Sequence, residues 1–476
     1  MNQAAPTVTA PPALVVIAGG AGDAGWPAAA ASPDVKLLKA LPPAQRVLEV
    51  GPGSPALARA YKQRQPCAEW AAATLSGPSK PTSREAVDRW CSLAGLADLP
   101  TGGHDLLIVN EILPWLPDPL ATLRQLARLA APGARLMLSV ENHASLATLE
   151  RLLDADLSAE LRQSPADGQP RLMSPAIVYK LLMDAGWMPT LADGHVEPVA
   201  AGSTRDSLKT LAQSSGLAGG CPERVHLLDR LVIEARQTFA GAPRQSGPAR
   251  FTVLVPTTNE RQLRVNVEQS PGLKEVGARI VSYRGAKSPA QAFEQGLAHV
   301  DADWVLLCHQ DVYFPAGFGE QLNAILAGIP AEDRPRTLLG FIGLGAQPQG
   351  QGAAACGFVI DRLNRADHPG SDQAISIDEV ALVMSRDTVH RIDPAQGWHL
   401  WATDLCLQSI CQHQTFPRLV RAPLFHNSRT GWTLPAGFAD GAHKLAAKWG
   451  EGFGPIPTLC GVIDAAFLAK HPRTTP

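Results

Sequence analysis

No CxxC pair occurs among the eight cysteines, which stand at 67, 91, 221, 308, 356, 406, 411 and 460. That scatter argues against a zinc ribbon, and it lacks the spacing of a secreted disulfide framework. There is no surplus of either charge. Lys and Arg number 42 against 44 Asp and Glu, giving a net charge of -2 and a pI near 6.7. No general pull toward nucleic acid follows, and no nucleic-acid partner is expected. Long apolar runs are missing too. The stretch Ala13 to Ala18 is far too short to span a bilayer, and no basic segment precedes it as in a secretory leader. The chain reads as cytoplasmic and soluble, without a transmembrane segment. No internal repeat is visible.

Apolar material is plentiful. Hydrophobic residues make up 45% of the chain and charged ones 18%, which excludes disordered and fibrous classes. At roughly 150 residues per domain, 476 residues imply about three units or two large ones. A Gly/Pro/Ser/Arg-rich stretch at 241–250 reads as a linker between domains at 1–240 and 251–476.

Each half opens with an apolar run ending in a turn: RVLEV at 46–50 before Gly-Pro-Gly-Ser, and FTVLVP at 251–256 before Thr-Thr-Asn. Buried parallel strands running into loops look like this, and open α/β sheets bind ligands at such ends. The spacing predicts further strands at 104–110, 134–140 and 303–308, and an edge strand at 231–235. Helices are predicted at 121–131, at 174–186 from a Ser-Pro start, and at 289–300 behind the cap Ser288. Pro132-Gly133 reads as a turn.

VLEVGPGSPALA at 47–58 resembles the first motif of class I S-adenosylmethionine-dependent methyltransferases. HDLLIVNEILPWLPD at 104–118 resembles the fourth-strand segment of that family, and the likeness extends over roughly residues 40 to 190. It implies a Rossmann-like fold and a cofactor held near Glu49, Gly51, Gly53 and Asn110. The departures are specific. Ser54-Pro55 enters the glycine loop, where proline removes a donor. No carboxylate stands at 72–76 for the ribose, nor at 92–95 for the adenine, although Asp98 follows. Losing two charge-assisted contacts at about 1.5–3 kcal/mol each would weaken binding roughly a hundredfold or more. An active methyltransferase and a scaffold or partner-binding module both stay open, and Glu49 could be purely structural.

The second half resembles glycosyltransferase family 2, of the GT-A type, over roughly residues 250 to 465. The pieces are FTVLVPTTN at 251–259, VLLCHQDVYFP at 305–315, IDEVALVMSR at 377–386, GWHLWATDLCLQ at 397–408 and APLFHNS at 422–428. The resemblance implies donor contacts from Pro256, Thr257, Asn259, Gln310 and Asp311. It puts Mg²⁺ or Mn²⁺ on Asp311 and His426, with His309 at the first position of the metal motif. Asp378, Glu379, Trp398 and Trp401 become acceptor contacts, and Asp404 the base that takes the acceptor proton. Glu294 replaces an asparagine of the family, and Thr403 stands where an acidic or small residue is common. Each residue also has a plain reading: Asp311 as a turn residue, Asp378 or Glu379 as strand-edge charges, Asp404 as a first-turn helix charge, His426 as a core histidine.

The sequence therefore implies two doubly wound α/β domains, a Rossmann-like methyltransferase fold followed by a GT-A fold. The function expected is inverting, metal-assisted transfer from a nucleotide sugar to a glycan or glycoconjugate, as in bacterial glycan assembly. The alternative is an S-adenosylmethionine-dependent methyltransferase with a glycan-binding second domain.

Overall fold

The computed structural model describes residues 33–52, 55–75, 86–153, 171–196, 202–214, 226–237, 243–346, 353–368, 371–428, 434–435 and 437–473. They fall into two compact units, one within 23–240 and one within 241–476. No helix among the described residues is long and apolar enough to cross a membrane.

The first unit is a seven-stranded sheet ordered β3-β2-β1-β4-β5-β7-β6. Its strands are β1 (Arg46–Val50), β2 (Glu69–Thr74), β3 (Arg89–Ser92), β4 (His104–Asn110), β5 (Ala130–Glu141), β6 (Met188–His195) and β7 (Arg230–Arg236). The first five are parallel, and β7 runs antiparallel between β5 and β6. Val47, Leu48, Glu49 and Val50 are all buried, because helices cover both faces of a parallel sheet. The sheet reverses direction of growth between β1 and β4, which opens a crevice at their carboxyl ends.

Three expectations shift here. The helix expected at 121–131 is Pro119–Leu129, because Asp118 caps it by accepting from the Ala121 amide at 2.9 Å. Pro132-Gly133 lies inside β5 as a bulge: His104 pairs with Ala130 and Leu106 with Arg135, and Gly133 sits at φ 79°. β7 is not an edge. β6, with Pro189 and Gly194 and no strand-like alternation, covers its outer side, where a missing amide donor is tolerated.

The second unit has two six-stranded sheets. The strands of these two sheets are β8 (Phe251–Thr257), β9 (Ile280–Arg284), β10 (Trp304–Cys308), β11 (Val312–Tyr313), β12 (Leu338–Gly340), β13 (Ile342–Ala346), β14 (Ala353–Asp361), β15 (Asn364–His368), β16 (Ala374–Ile377), β17 (Ala381–Ser385), β18 (Arg418–Leu419) and β19 (Leu424–His426), and a separate two-stranded sheet pairs β20 (Ile456–Thr458) with β21 (Gly461–Ile463). The first sheet runs β18-β12-β17-β10-β8-β9, and the second runs β11-β19-β14-β13-β16 with β15 against β14. Alternation along β8 and β10 feeds two cores. Phe251, Val253, Val255, Trp304 and Leu306 join one; Leu254, Val305 and Leu307 join the other. The first sheet is mixed where a doubly wound parallel one was expected, because β17 enters antiparallel to both β10 and β12.

Helix Trp401–Cys411 is buried along most of its length, with apolar residues on every side, so it is a core element. Helix Pro289–Leu297 starts where Ser288 accepts from the Gln291 amide at 3.2 Å, and Pro175–Asp184 starts likewise from Ser174. Both caps were legible in the sequence.

Candidate functional site

In the first unit the crevice is lined by the ends of β1, β2 and β4. Glu49 is fully buried, accepting from Trp70 Nε1 at 3.2 Å and lying 3.5 Å from Asn110 Nδ2. Its carboxylate is therefore spent inside the protein, and it orients Asn110. The Gly51 amide donates to the Ala73 carbonyl at 3.1 Å, and a Cβ on Gly51 would stand 2.8 Å from the Asn110 carbonyl oxygen. Only glycine lets the chain turn that close. Asn110 Oδ1 and Thr74 Oγ1 are buried without a hydrogen-bond partner among the described residues, one at the end of β4 and one at the end of β2. Buried polar atoms left this way mark a place for a ligand or an ordered water. Gly53 lies outside the described residues. Pro55 is the first residue of helix Pro55–Arg64, a position whose amide needs no partner. Asp98 is exposed at the end of a short 3-10 turn.

One residue at this end escaped sequence reasoning. Glu111, next after Asn110, has φ 54° and is therefore strained. Its carboxylate accepts from Ser139 Oγ at 2.5 Å and pairs with Arg230 on β7. Nothing in the sequence separates Glu111 from an ordinary loop acid. A shallow depression of about 510 Å³ lies further along the same connection, lined by Pro117, Asp118, Leu120, Arg171, Leu172 and Ile177. It is distinct from the crevice residues.

In the second unit, β10 ends at Cys308 and delivers His309 and Asp311 to the start of β11. β11 and β14 flank β19, so Val312 and Asp361 both stand opposite His426. Asp311 Oδ1 lies 3.4 Å from His426 Nε2, and Asp361 Oδ1 lies 2.8 Å from His426 Nδ1. The His309 and His426 rings are 5.5 Å apart. One donor atom each from His309, Asp311 and His426 falls within 4.8 Å of the others. Burial would raise the Asp311 carboxyl, but His426 outweighs it and holds the group well below the usual carboxylate range. Asp361 is lowered in the same way. Burial would lower His426, yet Asp311 and Asp361 push it up to about 10. Asp361, which also pairs with Arg362, was not foreseen. Only the pairing of β14 with β19 brings it here.

The other residues singled out from the sequence are placed as follows. Gln310 Oε1 accepts from the amides of Thr258 and Asn259 at 2.8 Å each, and its Nε2 donates to Thr258 Oγ1 at 3.1 Å. Asn259 caps helix Glu260–Leu263, Thr257 is buried and bonds the Val255 carbonyl, and Pro256 is half-buried in β8. Their polar groups hold the loop after β8. Asp378 accepts from the Val380 amide at 3.0 Å. Glu379 is raised to about 8, by burial first and then by Asp378, while it accepts the Leu400 amide. Trp398 is 42% exposed, but Trp401 is 4% exposed and packs in the core, so it offers no face to a sugar.

Asp404 is fully buried. Its oxygens accept from Trp449 Nε1 at 2.7 Å, from Lys448 Nζ at 2.9 and 3.0 Å, and from Gln408 Nε2 at 2.8 Å. Where the sequence resemblance implied a base, the structure surrounds this carboxylate with four donor contacts inside the protein.

Residues 28–218 match the family profile described as a methyltransferase domain. No curated protein matches the chain. Among solved structures, a possible histamine N-methyltransferase from Thermotoga maritima is similar at 15% identity and TM-score 0.29, covering 43% of this chain and 88% of its own. A putative methyltransferase of Haloferax volcanii, in complex with the Trm112 activator, gives 16%, 0.31, 42% and 87% in the same order. The 1,6-didemethyltoxoflavin-N1-methyltransferase of Burkholderia thailandensis, with S-adenosylhomocysteine, gives 16%, 0.28, 43% and 78%. All three are distant likenesses.

The match of residues 28–218 to a methyltransferase-domain profile overturns the expectation that the protein is a glycosyltransferase. The comparisons give no support to a GT-A assignment, a nucleotide-sugar partner or a place in glycan assembly, and the methyl-transfer alternative fits better. The amino-terminal unit has a Rossmann-like methyltransferase fold.

Proposed function

We propose that the protein is an S-adenosylmethionine-dependent methyltransferase whose cofactor lies across the carboxyl ends of β1, β2 and β4. The observation that carries this is the pair of partnerless buried acceptors, Asn110 Oδ1 and Thr74 Oγ1, flanking a Gly51 turn that no side chain fills. The residues present fit the group. Thr74 and Asn110 would accept hydrogen bonds from its hydroxyl and ammonium groups. Gly51 lets the backbone approach, and Glu49 keeps Asn110 aimed. S-adenosylmethionine, when bound, supplies an electrophilic methyl on a sulfonium. No carboxylate stands at the end of β2, so the ribose is held by a neutral hydroxyl and affinity is lower than a charged contact would give.

Calorimetric titration of the full chain with S-adenosylmethionine tests this reading. Saturable binding, weakened about tenfold in Asn110→Ala, is expected from the loss of one hydrogen bond to a charged ligand. No binding by the wild-type chain would overturn it.

A second reading is favoured by one observation, the convergence of His309, Asp311 and His426. On that reading the carboxy-terminal unit holds a divalent cation on these three side chains. The sequence-based expectation of Asp311 and His426 as ligands is kept here, with His309 added.

A further inference from the structure

Resting on that cation reading, we infer that the centre selects transition metals over magnesium, and that Asp361 is the outer carboxylate that aims His426 at the ion. The ligand set speaks first. Two imidazoles and one carboxylate suit zinc, manganese, iron or cobalt. Magnesium and calcium take oxygen ligands and are poorly served by nitrogen. Ligand atoms around such an ion at about 2.0–2.2 Å stand roughly 3.0–3.5 Å apart in tetrahedral or octahedral geometry. Asp311 Oδ1 and His426 Nε2 are already 3.4 Å apart. The three donor atoms all fall within 4.8 Å of one another, and the His309 ring is exposed. Three protein ligands leave at least one position for an oxygen of a ligand or of water.

The role of Asp361 follows from which imidazole nitrogen it meets. Asp361 Oδ1 lies 2.8 Å from Nδ1 and Asp311 Oδ1 lies 3.4 Å from Nε2, so Asp361 stands on the Nδ1 side of the ring and Nε2 is the nitrogen left on the Asp311 side for an ion. A ligating histidine gains basicity and a fixed ring plane from such a partner. The backbone builds the couple. Asp361 and His426 are register partners in β14 and β19, and the Arg362 amide donates to the His426 carbonyl at 2.9 Å. The Arg362 guanidinium anchors the other carboxylate oxygen. Asp361 is therefore a positioning residue, held from one side so that it can aim from the other.

The competing account is a buried ion pair with no metal, in which protonated His426 bridges two carboxylates. Proton and ion would then compete for Nε2.

The test uses the full-length chain stripped with a chelator and titrated with Zn²⁺, Co²⁺, Mn²⁺ or Mg²⁺ alone, followed by calorimetry and by the Co²⁺ absorption spectrum. One Co²⁺ per chain with visible d–d bands is expected, Zn²⁺ bound at least about a hundredfold more tightly than Mg²⁺, and binding lost in His426→Ala. Asp361→Asn is expected to weaken Zn²⁺ about 10–100-fold and shift the Co²⁺ bands, with Asp361→Glu recovering part of both. If the wild-type chain binds no ion, the cation reading itself fails and the buried ion pair remains. If it binds but Asp361→Asn matches it in affinity and spectrum, the role given to Asp361 is wrong. If Mg²⁺ binds as tightly as Zn²⁺, the selectivity is wrong. Should Asp361→Asn lose its fold, Asp361→Ser decides: wild-type spectrum and affinity in that variant would overturn the positioning role.

Discussion

Asp361 and His426 face each other in the β14–β19 ladder, carboxylate to Nδ1 at 2.8 Å, while Asp311 approaches the same ring at Nε2. One imidazole thus meets two half-buried carboxylates; the ring holds both acids charged and they hold the ring protonated, while Asp311 works against Asp361.

Removing that ring in the metal-free protein should be costly. His426→Ala takes from Asp311 its partner cation and leaves Asp361 with Arg362 alone, and a loss of about 3 kcal/mol is expected in denaturant unfolding with chelator present. The pH course is fixed in sign. The folded pKa of His426 is raised from 6.5 to about 10, so its stabilisation is complete below 6.5 and lost as pH climbs through about 10. A wild-type chain whose stability advantage over His426→Ala stays constant from pH 6 to 10 would contradict this.

Glu379 makes a separate, lower window. Its folded pKa is raised from 4.5 to about 8, so the folded state is most favoured below 4.5 and loses ground as pH rises through about 8. Glu379→Gln keeps an oxygen for the Leu400 amide and removes the proton. Its melting temperature should fall less steeply than wild type between pH 5 and 8. Parallel curves would show that Glu379 does not carry the dependence.

Asp404 is expected to matter for stability. Asp404→Asn loses the charge that Lys448 and Trp449 surround. A cost of about 2 kcal/mol is expected, below the roughly 3–5 of a fully enclosed pair because Lys448 is partly exposed. Trp449→Phe, which removes one donor to a buried carboxylate, should cost about 1–3 kcal/mol. An unchanged denaturation midpoint in both variants would refute this role.

Thr74 offers a gain. A carboxylate introduced by Thr74→Asp at the end of β2 would meet the cofactor ribose, and an increase of about tenfold in S-adenosylmethionine affinity is expected. Gly51→Val is expected to abolish binding, because its Cβ would stand 2.8 Å from the Asn110 carbonyl. Unaltered affinity in both variants would place the cofactor elsewhere.

Much of the framework was legible because it depends on local chemistry. Apolar runs marked β1, β4, β8 and β10, and Ser174 and Ser288 announced their helices. What failed depended on distant partners. Trp401 looks like Trp398 in sequence, yet Leu400 at φ 64° turns the chain so that Trp401 enters the core and Trp398 stays outside. Asp404 reads as a free first-turn acid until the later helix Phe438–Phe453 brings Lys448 and Trp449 to it. Glu49 reads as a cofactor contact in sequence, with nothing there to announce its bond from Trp70. The glycosyltransferase resemblance failed differently: short motifs shared by position carried a reaction that the family match did not support.

β19 has three residues and is hydrogen-bonded on both sides, to β11 and to β14. Side chains alternate along a strand, so a slip of one residue would swing His426 to the opposite face and bring Phe425 toward the carboxylates. An insertion between Ala422 and Leu424 is therefore a different injury from a point substitution. It would keep every ligand in the chain while unthreading the centre.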